Sequence, residues 1–148
     1  MKKFSHLDDA GRARMVDVGS KPPQLRIAVA EGSLVCQPKT LAALRAGNLP
    51  KGDVFTVAKI AAILAAKKVD ALIPLCHSLP LEAVAVQFFI RKDHVHIAAE
   101  ARTTAKTGVE MEALTAVTVA ALTLYDMCKA VDKTMTITGI RLVSKTKP

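Results

Sequence analysis

The stretch GVEMEALTAVTVAALTLYDMCKAV, residues 108–131, is the longest segment of the chain with a single structural signature. No charged residue lies between Ala113 and Tyr125, and apolar side chains occur all round a helix drawn through the stretch. Thr107 and Glu110 have the spacing of a capping box, which predicts where this helix begins. A helix that is apolar on all sides must be covered on all sides, so we expect a second subunit to supply part of the cover.

Alternating apolar residues on either side of this helix predict an antiparallel sheet. Residues 84–90 and 95–99 both alternate, and Lys92-Asp93 between them is a turn candidate, so the two runs predict a hairpin. Further extended segments are predicted at residues 16–18, 25–35, 70–75 and 135–143.

Two shorter helices are marked by their ends. Pro38 suits the first turn of one helix, and Gly47 suits the position that follows its last turn. Asp53 is a natural N-cap for a second helix, predicted over residues 54–68. Helices placed between hairpin strands predict an α+β fold, which we take to be ferredoxin-like, with the helices packed on one face of the antiparallel sheet.

Length and composition fit one globular domain over residues 1–148. The chain is 51% apolar and 23% charged, which is typical of a folded protein and not of a disordered one. No apolar run approaches the roughly 20 residues of a membrane span. The opening residues 1–6 lack the apolar core of a signal peptide, so we expect a cytoplasmic protein without a membrane segment.

The charge balance predicts an anionic partner. Lys and Arg number 21 against 13 for Asp and Glu, which gives a formal net charge of +8. Aromatic residues make up only 3% of the chain, whereas a protein that binds single-stranded nucleic acid needs rings on which bases stack. We therefore expect a small phosphate ester as the partner and no nucleic acid.

Asp126 and Lys129 are the most suggestive pair of ionisable residues. They lie three positions apart on the long helix and are therefore neighbours on one face. Spacing alone leaves two interpretations open, a surface ion pair or a general acid/base pair. Glu112 falls within roughly 40° of the same face as Asp126 but about 21 Å away along the axis, so a shared site would need a second subunit.

His77 lies in a loop bracketed by Pro74 and Pro80, which stiffen the backbone on both sides. It is either a buried histidine with a satisfied ring or a residue that transfers protons or binds substrate. Cys76 and His77 could also be read as nucleophile and base, although adjacent residues seldom present both side chains to one point.

Several basic residues are candidates for binding phosphate. Lys51 precedes a predicted helix start, where free N–H groups favour anions, although Asp53 already occupies the cap. Arg26, Lys145 and Lys147 are further candidates, each with an ordinary solvated charge as the alternative. His94 and His96 share one side of a strand but have no obvious further ligands, so we predict no metal site.

Five stretches of the sequence resemble the MoaC family, and the likeness extends from about residue 15 to residue 145. They are residues 15–18 (MVDV), 51–55 (KGDVF), 72–77 (LIPLCH), 106–116 (KTGVEMEALTA) and 120–130 (AALTLYDMCKA). The resemblance implies a ferredoxin-like subunit that assembles as a hexamer, a trimer of dimers, with active sites between subunits. It also implies a lyase of molybdenum cofactor biosynthesis, which converts 3′,8-cyclo-7,8-dihydroguanosine 5′-triphosphate into cyclic pyranopterin monophosphate and releases diphosphate.

The resemblance also implies roles for individual residues. By position, Asp126 matches the catalytic acid of the family and Lys129 its partner in proton transfer. The segments that contact the substrate are matched by Leu75, Cys76, His77, Met111 and Glu112. The basic residues that hold the triphosphate or assist catalysis are matched by Arg26, Lys51 and Lys145. The conversion requires no redox cofactor, and no ligand set in the sequence demands magnesium.

Two other classes of function remain open at the level of the residues. A non-catalytic module that binds a phosphorylated metabolite would keep the basic residues but would not need Asp126. An RNA-binding domain would show an affinity that falls steeply with salt, and the scarcity of aromatic residues makes it the weakest of the three.

Overall fold

The structure is a computed structural model that describes residues 4–148. The predicted lack of a signal peptide at residues 1–6 rests partly on residues 1–3, which lie outside the described residues. The elements follow in the order β1 (Gln24–Val35), α1 (Pro38–Ala46), α2 (Val54–Ala66), α3 (Val69–Leu72), β2 (Leu81–Ile90), β3 (His94–Ala105), α4 (Glu110–Cys128) and β4 (Thr136–Thr146).

The four strands form one antiparallel sheet in the order β2-β3-β1-β4. Helices α1 to α3 connect β1 to β2, and α4 connects β3 to β4. This topology confirms the predicted α+β, ferredoxin-like fold. The hairpin of β2 and β3 turns where Lys92-Asp93 predicted it, and the Arg91 N–H donates to the His94 carbonyl at 2.8 Å.

The core lies between the sheet and α4. Alternate residues of the two central strands, such as Leu34 and Ile97, are fully buried, and α4 packs on both strands. Glu31 and His96 occupy intervening positions and are only half-buried, because side chains of successive strand residues point to opposite faces.

The predicted ends of the shorter helices are largely confirmed. Gly47 follows α1 with φ of 69°, a left-handed conformation that glycine adopts without steric cost. The Asp53 carboxylate accepts the Thr56 N–H at 3.2 Å and so caps α2. Helix α2 ends at Ala66, two residues before the predicted end.

Two predicted extended segments are wrong. Residues 16–18 form no strand, and the Val16 carbonyl contacts the His77 ring instead of a neighbouring strand. Within residues 70–75 the chain makes the short helix α3, in which the Ile73 N–H donates to the Val69 carbonyl at 2.8 Å.

Helix α4 differs from its prediction in how it starts and how far it is covered. Its N-cap is Val109, which makes no side-chain cap, so the predicted capping box is wrong. The Glu110 carboxylate binds Lys145 instead. The chain covers α4 on most sides but leaves Leu122 57% exposed.

Helix α4 is the one helix among the described residues that has the dimensions of a membrane span. By length and composition alone its 19 residues could cross a bilayer, but half of the segment is buried inside the fold. Its packing on the sheet identifies it as a core helix of the domain.

Candidate functional site

Two adjoining pockets flank the N-terminal end of α4. The first, called here the basic pocket, has a volume of about 390 Å³. Among the described residues it carries five cationic side chains against one carboxylate, that of Glu110. The five cations are Lys21, Arg26, Lys106, Lys145 and Lys147.

Sheet register explains how residues so far apart in sequence meet in the basic pocket. The start of β1 lies between the end of β3 and the end of β4, because Gln24 pairs with Ala105 and Ala28 pairs with Lys145. Strand ends that carry basic residues therefore converge beside the first turn of α4. Such a concentration of positive charge at a helix N-terminus is suited to a polyphosphate.

Two of the basic side chains contact neutral backbone carbonyls, which leaves their charges available, whereas a third is paired with a carboxylate. The Lys106 ammonium donates to the Gly19 carbonyl at 2.8 Å, and an Arg26 guanidinium N–H donates to the Lys106 carbonyl at 3.4 Å. The Arg26 Nε is buried and has no hydrogen-bond partner among the described residues. Lys145 forms an ion pair with Glu110 at 2.7 Å.

The second pocket, called here the histidine pocket, has a volume of about 410 Å³. It brings together all five residues that the resemblance matches to the substrate-contacting segments, namely Leu75, Cys76, His77, Met111 and Glu112. The two pockets share Lys21, Thr107, Gly108 and Glu110 along their common border. One elongated ligand could therefore occupy both.

His77 is held in a fixed orientation. Its Nε2 lies 2.6 Å from the Val16 carbonyl, which can only accept, so Nε2 is the donor. In the neutral ring, Nδ1 is then an acceptor that can take or hold a proton. Val16 also lines the pocket, together with Val18.

Glu112 and Cys76 are both perturbed by burial. Glu112 is only 4% exposed, and burial, with the negative charges of Glu110 and Asp70, raises the pKa of its carboxyl group. Burial, followed by the charge of Glu112, raises the pKa of the Cys76 thiol. A thiol that is harder to ionise is a weak nucleophile, which argues against the reading of Cys76 and His77 as nucleophile and base.

The opposite end of α4 carries a second group of predicted residues. Asp126 binds Lys129 at 2.8 Å and Lys51 at 3.1 Å, and Lys51 also donates to the Asp126 backbone carbonyl at 3.0 Å. Hydrogen bonds from Lys129 and then Lys51 lower the pKa of Asp126, and the bond to Asp126 raises the pKa of Lys129. Both side chains of the Asp126–Lys129 pair are more than half exposed, so within one chain the pair is a surface ion pair.

The structure thus divides the ten predicted site residues into seven and three. Seven line the two adjoining pockets, whereas Lys51, Asp126 and Lys129 lie at the other end of the helix, about 21 Å away at 1.5 Å per residue. One chain does not bring Glu112 and Asp126 to a common point.

The paired histidines of β3 have local partners. His94 lies 2.7 Å from Asp93, and His96 lies 3.7 Å from Glu31 on the sheet face away from α4.

Sequence reasoning missed three of the basic residues that line these pockets, Lys21, Lys106 and His6. Lys106 had a readable signal, since Lys106-Thr107-Gly108 precedes a helix start just as Lys51-Gly52 does. Lys21 and His6 lie in the irregular segment before β1, and no local pattern marks them.

The fold and the pockets define a ferredoxin-like α+β protein with a strongly basic groove beside a pocket of ionisable side chains. The sequence model of the MoaC family matches residues 15–148, and the chain belongs to this family.

Relatives of known designation agree with this membership. The chain is 58% identical over 147 residues to the cyclic pyranopterin monophosphate synthase of Roseiflexus sp. (strain RS-1), an alignment that covers 98% of this chain and 93% of that protein. It is 57% identical over 145 residues to the synthase of the same name from Chloroflexus aggregans, covering 97% and 88%. The molybdenum cofactor biosynthesis bifunctional protein of Chlorobaculum tepidum is 57% identical over 144 residues, covering 97% of this chain and 46% of that protein.

Proposed function

We propose that the chain is a cyclic pyranopterin monophosphate synthase of molybdenum cofactor biosynthesis. In this proposal it is a lyase that converts 3′,8-cyclo-7,8-dihydroguanosine 5′-triphosphate into cyclic pyranopterin monophosphate and releases diphosphate. The observation that carries the proposal is the shared border of the two pockets, with five cations on one side and Glu112, Cys76 and His77 on the other.

The basic pocket is suited to the phosphate part of this reaction. Closure of a cyclic phosphate requires an oxygen of the substrate to attack the α-phosphorus while diphosphate leaves. Negative charge then builds up on the leaving oxygens, and fixed cations stabilise it without reorganising. Arg26 and Lys145 are the predicted residues that supply this charge, and Lys21 and Lys106 add to it.

The histidine pocket is suited to the ring part of the reaction, which requires several proton transfers. A carboxyl group with a raised pKa, such as that of Glu112, is able to donate or accept a proton nearer neutral pH than an exposed glutamate. His77, whose Nε2 is committed to Val16, presents Nδ1 as a second proton-transfer group. Leu75 and Met111 add apolar surface against which a ring can pack.

Asp126 and Lys129 complete the site in this proposal when a second copy of the chain brings them to the histidine pocket. Asp126 then acts as catalytic acid, Lys129 as its proton-transfer partner, and Lys51 holds the pair in place. Burial by the second copy would remove water from Asp126 and Lys129, and this loss of water favours the neutral form of each group.

The surface of the chain supports association of copies. Helix α2 exposes an apolar stripe at Val57, Ile60 and Leu64, and α4 exposes Leu122. Exposed apolar residues at helical spacing favour contact with another protein surface. We propose a hexamer, a trimer of dimers, working in the cytoplasm, and native mass spectrometry tests this by counting chains of 15.8 kDa.

Turnover of the cyclic triphosphate tests the activity. Purified protein should release diphosphate, and Asp126→Asn and Lys129→Ala should each abolish release while the native mass stays unchanged. Asp93→Asn, an exposed carboxylate in the hairpin turn, is the matched control and should keep full activity. Normal turnover in both site variants would remove the assignment of these residues.

A further inference from the structure

We propose that Glu110 is a built-in competitor for the phosphate site, whose carboxylate binds Lys145 and must be displaced when a polyphosphate binds. This inference rests on the proposed function in one respect, namely that the basic pocket takes a polyphosphate.

The position of Glu110 is the first observation. It is the first residue of α4 and lies on the border shared by the two pockets. Its Oε1 lies 2.7 Å from the Lys145 Nζ, so the carboxylate occupies a position where a phosphate oxygen would bind that ammonium. Among the described residues it is the one acidic side chain in the lining of the basic pocket.

Gly108 is the second observation, because it makes room for this arrangement. The Glu110 side chain folds back over residue 108, and a Cβ atom there would overlap the carboxylate group. Any other residue at 108 would push the carboxylate out of this position. The turn before α4 is therefore shaped to hold Glu110 over the pocket.

The surroundings keep Glu110 ionised. Burial acts against ionisation, but hydrogen bonds from Lys145 and from the backbone, with the charges of Lys145 and Arg26, lower the pKa of the carboxyl group overall. The carboxylate thus interacts with the groups that a phosphate would bind. They are the Lys145 ammonium, the positive charge of Arg26 and the N-terminus of α4.

An incoming anion must break the ion pair of Glu110 and Lys145, and this cost is the same for every anion that binds Lys145. A triphosphate substrate offsets it through the contacts of its ring in the histidine pocket. Free diphosphate has no ring and therefore cannot offset this cost. Glu110 therefore weakens the hold of the site on the diphosphate that is left after the reaction, and favours its release.

Binding of inorganic diphosphate, measured by isothermal titration calorimetry on the full chain without turnover, tests the inference. Glu110→Gln keeps the shape of the side chain and removes its charge, and it should tighten binding about fivefold, the factor that corresponds to a partly exposed ion pair. Glu82→Gln, an exposed carboxylate on β2, removes the same charge elsewhere and should leave the affinity unchanged.

A double-mutant cycle locates the effect. In a Lys145→Met background, Glu110→Gln should change diphosphate affinity by much less than fivefold, because the ion pair is already absent. An unchanged or weaker affinity in Glu110→Gln, or an equal gain in Glu82→Gln, would overturn the inference. Diphosphate release from the cyclic triphosphate is a separate assay, so a wild-type chain that binds diphosphate but fails there contradicts only the proposed function.

Discussion

Replacement of Asp132 by alanine should destabilise the fold, because this buried carboxylate joins two segments that are far apart in sequence. Asp132 is only 2% exposed. Its Oδ2 accepts the Gln37 N–H at 2.9 Å and the Thr40 hydroxyl at 2.9 Å. Its Oδ1 accepts the Thr134 N–H at 2.9 Å and the Thr134 hydroxyl at 2.8 Å. Gln37 is the N-cap of α1 and has no side-chain cap of its own, so Asp132 caps that helix from 95 positions away.

The size of the effect follows from these bonds. Two backbone N–H groups lose a charged acceptor, at about 1.5 kcal/mol each, so Asp132→Ala should lower the free energy of unfolding by about 3 kcal/mol. For a chain of this length that corresponds to a fall in Tm of roughly 6–12 °C. Asp132→Asn keeps one acceptor oxygen for Thr134, but its amide N–H groups face the Gln37 N–H, which then has no acceptor. We therefore expect this variant to show about half of the loss in unfolding free energy.

Urea denaturation followed by circular dichroism at pH 7 measures this loss, with Glu82→Gln, an exposed carboxylate on β2, as the control. The hydrogen bonds that Asp132 accepts from Gln37, Thr134 and Thr40 outweigh burial and lower its pKa from 3.8 to about 2. Its stabilisation is therefore fully present above pH 4 and is lost as the pH falls toward 2, so the gap between wild type and Asp132→Asn should narrow over that range. An alanine variant within about 0.5 kcal/mol of wild type at pH 7 would refute the capping role.

Three further predictions follow from packing, charge and surface. Gly32→Ala should lower the free energy of unfolding by about 1–3 kcal/mol in urea titrations, because its Cβ would overlap Ile140 and crowd Val117, whereas an unchanged midpoint would contradict this tight contact. Glu112→Gln should raise the free energy of unfolding at pH 7.5 but not at pH 4. The raised pKa makes ionisation of Glu112 costly in the folded state, and glutamine removes this cost only at a pH where the glutamate would be ionised. An equal gain at both pH values would indicate an effect on packing instead. Ile60→Lys, on the exposed stripe of α2, should reduce the native mass to smaller assemblies, and an unaltered mass would exclude that stripe from the subunit interface.

The sequence determined those elements whose signals are local. Gly47 after α1, Asp53 before α2 and the turn at Lys92-Asp93 each act on neighbours within about four residues, so their prediction needed no tertiary information. The resemblance of the motifs placed Leu75 to His77 with Met111 and Glu112, and the histidine pocket does bring those residues together.

Only the tertiary structure decided which charges meet. The N-cap rule was correct for Asp53, but the capping box of Thr107 and Glu110 failed, because α4 begins only after Val109. The Glu110 carboxylate instead binds Lys145 on β4. Lys21 and Lys106 join Arg26 in one pocket because the sheet register aligns the ends of distant strands. Hydrogen bonds within one helical turn depend on the nearest neighbours, whereas contacts across a sheet depend on how the whole chain packs, which is why composition predicted an anionic partner but could not locate its site.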